Sequence, residues 1–355
     1  MAKRSFYVKD SELDDYQVKV INKKTDNSYI VKGCAGSGKS ILALWKAKQI
    51  QEGGKGSYLY VVYTKALRQY MSDGIKQIGL RESNVVNFDA CFQWGRNNYG
   101  ELQRGVWKKG SYDYVIVDEA QDFSRDDIEL LKSKARKALL VYGDTAQQLY
   151  KFLKDKQTVS MEDIQYFTKF PVEQLVFNHR LPKKIARVAQ YLNSESDELE
   201  ERCTEEGTEK PKILEYNTKQ EQFAAIANLI KNKGMEDVGI LFRNNKEVDE
   251  AYDYFTNKGI EVEAKSYRHK DELDFTSDNP KLMTYHSSKG LQFENVFIPE
   301  CTAEGADDRN PLYVAITRTY RSLYIMHSGN LSCFFDDVPT DLYDDSLSTG
   351  PTLTL

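Results

Sequence analysis

The sequence predicts an α/β protein with a mainly parallel, helix-flanked sheet in each of two halves, and three observations carry that expectation. The apolar run 29–31 leads through a glycine-rich turn into a helical pattern that begins at Ile41. A second apolar run, 114–117, ends in two acids, Asp118 and Glu119. Strand and helix patterns alternate along the first half and start again at Gln174. Such alternation implies parallel strands joined by crossover helices. A chain of 355 residues suits one or two domains, and 40% hydrophobic with 29% charged residues is the balance of a globular chain with a core.

The glycine-rich turn is Gly33-Cys34-Ala35-Gly36-Ser37-Gly38-Lys39-Ser40. Its spacing is GxxxxGK[ST], set between a strand and a helix, which is where that pattern cradles nucleotide phosphates. Gly33, Gly36 and Gly38 let backbone N–H groups close around the phosphates. Lys39 neutralises their charge, the Ser40 hydroxyl ligates Mg²⁺, and the helix N-terminus adds its dipole. The turn alone says only that a nucleoside triphosphate binds.

The acid-ended strand supplies the next part. Carboxylates at the carboxyl end of a parallel strand sit where α/β sheets do their chemistry. Asp118 is expected to hold Mg²⁺ and Glu119 to take the proton of an attacking water. A further strand, 138–142, ends in Gly143-Asp144-Thr145-Ala146-Gln147, and places Gln147 to touch a γ-phosphate or that water. Aromatic residues follow at Tyr150 and Phe152. Before the phosphate loop, Gln17 offers an amide that matches the N6/N7 edge of adenine; alone it reads as an ordinary exposed glutamine, and only its distance to the loop gives it value. Strand 58–63 and the run 85–88 end in Tyr63, Thr64 and Phe88, which suit either base stacking and phosphate contact or, for Phe88 and Trp94, simple core packing.

In the second half the expected strands are 174–177, 212–216, 238–242, 260–264, 282–286, 295–299 and 323–326. Helices are expected at 182–191, 220–231 and 246–257, with another around Tyr313–Arg318. No second phosphate loop occurs there.

Charge and cysteine usage set outer bounds. The formal charge of −5 does not announce a nucleic-acid binder, so any backbone contact must use a local groove. Acids cluster at 195–206 and in the last segment, where Asp336, Asp337, Asp341, Asp344 and Asp345 stand without Lys or Arg; solvated charge is the ordinary reading of both. Five scattered cysteines with no CxxC spacing point to a reducing, cytoplasmic setting and give no support for zinc or iron–sulfur. Met1-Ala2-Lys3-Arg4 precedes no apolar stretch, and no run is long enough to span a bilayer.

Four segments together resemble the superfamily 1 nucleic-acid motors of the UvrD/Rep type. They are Val117-Asp118-Glu119-Ala120-Gln121-Asp122, the Tyr142–Gln147 stretch, Met283-Thr284-Tyr285-His286-Ser287-Ser288-Lys289-Gly290-Leu291-Gln292-Phe293, and Tyr313-Val314-Ala315-Ile316-Thr317-Arg318. The resemblance runs from Leu13 to about Gly329. It implies two RecA-like lobes, residues 1–175 and 176–330, with ATP in the cleft between them and an acidic tail at 331–355. By position, Gln17 reads adenine, His179 stacks on it and Gly290 lines the nucleotide. Lys39, Ser40, Asp118, Glu119 and Gln147 carry hydrolysis with Mg²⁺. Arg180 and Arg318 are the implied arginine fingers. Tyr63, Thr64, Phe152, Thr284 and His286 fall where the family touches a strand, with Phe88 beside them.

The chain also departs from the pattern. His179 stands where a tyrosine is usual, Phe152 and Leu153 where Trp and Arg are common, and Gln292 where a Glu is usual. The stretches 95–114 and 265–280 are too short to hold the family's accessory subdomains. The expectation is therefore a reduced motor core on single-stranded DNA, moving 3′ to 5′, with RNA less favoured. It would work with a protein partner such as a nuclease or defence-system subunit and without a membrane. The alternative is a nucleotide-controlled binding switch within a larger assembly.

Overall fold

The computed structural model describes residues 12–97, 99–147, 157–193, 198–302 and 305–346. The chain divides into two compact units, Met1–Asn178 and His179–Leu355.

The first unit holds strands β1 (Tyr29–Gly33), β2 (Tyr58–Val62), β3 (Val85–Asn87), β4 (Phe92–Arg96), β5 (Leu102–Trp107), β6 (Tyr112–Val117), β7 (Ala135–Gly143) and β8 (Val172–Leu175). Six of them form one sheet in the order β3-β2-β6-β7-β1-β8, and every pairing in it is parallel. Both faces are covered, so the strands read as continuous apolar runs. Ile30, Leu59, Val61, Val115, Val117, Leu139 and Val141 pack with Phe88, Phe92 and Phe123 into one core cluster. On the alternate positions Tyr29, Tyr60 and Tyr142 are fully buried. The helix Lys39–Glu52 buries Leu42, Ala43, Leu44, Ala47 and Ile50.

Two sequence expectations shift here for a physical reason. The strand expected at 174–177 is Val172–Leu175, because it pairs with β1, and β1 ends at Gly33 opposite Leu175 where the phosphate loop begins. The stretch 95–114, too short for a subdomain, holds part of a small element that the sequence did not indicate: β4 and β5 form an antiparallel hairpin. Its base is pinned by Phe92 and Trp107, which meet edge to face at 5.4 Å, and by Arg104 bridging Asp89 and Asp127.

The second unit holds β9 (Lys212–Tyr216), β10 (Val238–Phe242), β11 (Glu263–Lys265), β12 (Lys281–Thr284), β13 (Phe293–Ile298) and β14 (Thr319–Ser328). These also form one parallel sheet, ordered β11-β12-β10-β13-β14-β9. Its core gathers Leu214, Phe223, Ile240, Phe242, Leu282, Phe297 and Tyr324. The acidic end of the chain lies on this unit as far as residue 346. Asp344 bridges to Lys212 beside the edge strand β9, its N–H donating to the Pro211 carbonyl and its carbonyl accepting from Ile213. Phe335 and Val338 are buried there. Among the described residues no helix is long and apolar enough to cross a membrane.

Candidate nucleotide site

The register of the first sheet brings the candidate residues together. Lys32 lies opposite Gly143 and Val117 opposite Val141, so β1, β7 and β6 end close to level on one edge of the sheet. The phosphate loop follows β1, the acids follow β6, and the Asp144–Gln147 turn follows β7.

The loop has the shape of an anion cradle. Gly36 and Gly38 have φ of 76° and 84°, a region that favours glycine. A Cβ on Gly33 would lie 2.4 Å from Ser37 Oγ, and one on Gly38 would lie 2.9 Å from Gln17 Nε2. The Lys39 ammonium donates to the carbonyls of Gly33 and Cys34, each at 2.8 Å, which folds the lysine across the loop. Ser37 Oγ is buried without a hydrogen-bond partner among the described residues. A buried hydroxyl in that state calls for an acceptor or donor, and a phosphate oxygen supplies one. These features, with the start of a 14-residue helix at Lys39, fit a nucleotide phosphate group.

Asp118 and its surroundings fit the companion magnesium ion. The carboxylate is buried; Oδ2 accepts from the Tyr60 hydroxyl at 3.0 Å and Oδ1 from the Glu119 N–H at 3.0 Å. Burial, and then the charge of Glu119, push its pKa up to about 6, against hydrogen bonds from Ser40 and Tyr60 and the charge of Lys39. Ser40 and Asp118 are thus brought together. Glu119 has φ 54° and ψ 45°, a left-handed conformation uncommon for a residue with a Cβ.

Gln17 does more than its sequence position indicated. Its Oε1 accepts from the Asp14 N–H at 3.2 Å, closing a capping box on the helix Asp15–Asn22, while its Nε2 donates to the Ser37 carbonyl at 3.1 Å. It therefore fastens that helix to the phosphate loop. A carboxamide has two donors and two acceptor sites, so this anchoring leaves capacity for an adenine edge. Tyr60, Gln121 and Asp144 are the participants that sequence reasoning passed over. Tyr60 reads as one more core residue, whereas Gln121 and Asp144 already stand in the quoted segments.

The residues expected to touch a strand fare differently. Tyr63 is half-buried, edge to face with Phe123 at 5.2 Å, and Thr64 caps the next helix through Leu67 N–H at 3.1 Å. Phe88 is a correction: its ring is 0% exposed, locked among Phe92, Trp107 and Phe123, so the core-packing alternative holds and it presents nothing to a strand. Thr284 is a second correction. It is buried, and its hydroxyl closes the turn to Ser287, donating to Ser287 Oγ and accepting from the Ser287 N–H. His286 is half-buried; burial, then Lys289, hold its pKa below the usual range, which keeps the ring neutral near pH 7. Phe152 lies outside the described residues.

In the second unit, His179 and Arg180 are half-buried just before the helix Lys183–Ala189. Gly290 has φ 78°. Arg318 is 1% exposed, with Nε donating to the Val314 carbonyl at 2.8 Å and Nη2 to Thr317 Oγ1 at 3.0 Å. Two of its five N–H groups are thereby used on its own helix end.

Comparison with known proteins follows this division. Residues 281–326 match the UvrD-like helicase C-terminal domain, and residues 17–153 match an AAA domain. The chain is thus similar to UvrD-like helicases over the end of its second half and to AAA domains over most of its first. The AAA match covers the whole phosphate-loop and acid-strand region, and the UvrD-like match runs from β12 into β14. No curated protein sequence matches the chain. Among solved structures, the PRRSV helicase is 16% identical with a TM-score of 0.46, covering 91% of this chain and 56% of its own. The Arterivirus nonstructural protein 10 helicase in complex with DNA is 16% identical with a TM-score of 0.45, covering 90% and 64%. The C-terminal domain of a possible DNA helicase from Lactobacillus plantarum WCFS1 is 16% identical with a TM-score of 0.38, covering 47% and 97%. The chain thus spans less than two thirds of the two viral chains.

Proposed function

We propose that the chain is an ATP-dependent motor on nucleic acid, the core of a single-stranded DNA translocase or helicase that moves 3′ to 5′. The observation that carries the ATPase part is the meeting of Ser40, Lys39, Asp118 and Glu119 at one sheet edge, with Lys39 folded across the phosphate loop and the buried Asp118 held by Tyr60. Lys39 neutralises the β/γ-phosphate oxygens once it turns from the loop carbonyls. Ser40 and Asp118 hold Mg²⁺, which when bound offsets the negative charge of the phosphates. Glu119 accepts the proton of the attacking water, and Gln147 orients that water. Gln17 reads the adenine and His179 stacks on it. Arg180 and Arg318 are the guanidinium groups offered to the γ-phosphate in the transition state, a contribution of about 10³–10⁵ in rate among NTPases. The similarity of residues 281–326 to the UvrD-like helicase C-terminal domain supports the nucleic-acid part, with Tyr63, Thr64 and His286 as remaining contact residues.

The test is one titration of ATP turnover against single-stranded DNA, single-stranded RNA and blunt duplex, followed by displacement of a blocked 3′ or 5′ end. Stimulation by single-stranded DNA with displacement of a blocker in the 3′-to-5′ direction is expected. Turnover that ignores every strand would overturn the motor and leave a nucleotide switch.

A further inference from the structure

We infer that Gln121 is a positioning residue for Glu119, and that its carboxamide makes the ends of β6 and β7 act as one piece. The inference rests on the ATPase reading above and concerns the same site. The side chain is 0% exposed and serves two partners at once. Its Nε2 donates to Glu119 Oε2 at 2.6 Å, and its Oε1 accepts from the Asp144 N–H at 3.0 Å.

Both partners are held where this bridge requires. Glu119 sits at φ 54°, a conformation that persists for a non-glycine residue only when its surroundings fix it. On the other side, a Cβ on Gly143 would fall 2.6 Å from Gln121 Oε1 and 2.4 Å from Met161 Sδ. Glycine at 143 is what lets the amide reach Asp144. The chain of bonds continues, since Gln147 Nε2 donates to Asp144 Oδ2 at 2.6 Å. Glu119, Gln121, Asp144 and Gln147 therefore form one hydrogen-bonded line across two neighbouring strands. It joins the two residues assigned to the attacking water.

The chemistry asks for a carboxamide. The position needs a donor towards a carboxylate and an acceptor towards an N–H, both on one planar group. A glutamate there keeps the acceptor but sets a second negative charge against Glu119. A leucine supplies neither and frees the Glu119 carboxylate to take other rotamers. Misplacing a reacting group by about 1 Å costs on the order of 10²-fold in rate.

The experiment compares wild type, Gln121→Leu, Gln121→Glu, Gly143→Ala and the double variant Gln121→Leu/Gly143→Ala. Each is assayed for thermal unfolding, for affinity towards a fluorescent ADP analogue with Mg²⁺, and for single-turnover ATP hydrolysis. Expected is a drop of about 10–100-fold in the hydrolysis rate for each single variant, with ADP affinity within about threefold. The double variant should lose little more than either single one, since both act on the same bridge. Gln121→Glu is nearly isosteric and keeps the test alive should Gln121→Leu fail to fold. Hydrolysis at the wild-type rate in the folded variants, ADP affinity falling as far as the rate, or additive losses in the double variant would each overturn the inference. Lys39→Ala separates the two readings. If wild type and Lys39→Ala hydrolyse alike, the phosphate-loop assignment is what has failed, whatever Gln121 does.

Discussion

Two glutamates, one in each unit, occupy the same local device and do different things. Glu119 follows β6 and Glu300 follows β13, each just past the end of a parallel strand, and their φ values are 54° and 49°. Each is gripped by a buried glutamine: Gln121 for the first, Gln222 for the second. The difference lies in what else reaches the carboxylate. Glu300 Oε1 takes the Ser328 hydroxyl at 2.7 Å as well as the Gln222 amide, and the Gln222 oxygen accepts from the Glu300 N–H at 2.9 Å. That carboxylate ties the helix Lys219–Lys233 to the end of β14. Glu119 has Asp118 beside it and shares its sheet edge with the phosphate loop, whereas Glu300 is preceded by Pro299. A left-handed acid after a strand is therefore found in both units, and the proposed catalytic use of one copy rests on its neighbours Asp118 and the phosphate loop.

Four substitutions can break or sharpen that contrast. Lys39→Ala should take ATP turnover to background, measured by phosphate release, because no other cation of the loop replaces it; measurable turnover would sink the site in the first unit. Glu119→Gln should slow hydrolysis by about 10²–10⁴-fold while nucleotide binding persists, as expected for loss of a general base. A normal single-turnover rate would remove Glu119 from that role. Tyr60→Phe should weaken the Mg²⁺ dependence of nucleotide binding by about 10–100-fold, since the phenol orients the Asp118 carboxylate. Titrating Mg²⁺ against a fluorescent nucleotide reads this, and an unchanged midpoint speaks against it. Glu300→Gln should leave turnover per folded molecule unchanged and cost about 1–3 kcal/mol of stability, since the half-buried carboxylate holds two hydrogen-bonded partners. Urea unfolding checks the cost, and a loss of turnover without one would make Glu300 more than scaffold.

The phosphate loop and the acid pair were legible because their chemistry depends on residues adjacent in sequence. Gln147 and Gln121 were both visible as members of quoted segments, yet only packing shows that Asp144 links them. Gln17 read as a base contact, and its second task, holding Ser37, depends on a helix folding back over the loop. Phe88 remained open between stacking and core until Phe92, Trp107 and Phe123 were seen around it. The hairpin of β4 and β5 escaped notice because its strands are short and mostly exposed, so they lack the apolar alternation that marks a half-buried strand.

By itself the sequence determined that this is a two-part α/β chain with a triphosphate loop, an acid-ended strand and the segments of a UvrD-like protein. Those properties are written in spacing and local periodicity, which need no partner from elsewhere in the chain. Only the tertiary structure decided the strand order that sets β7 between the loop strand and the acid strand, the bridge through Gln121, and the different partners of Glu119 and Glu300. These arise from contacts between residues far apart in sequence, where burial and hydrogen-bond geometry, not composition, fix what a side chain can do.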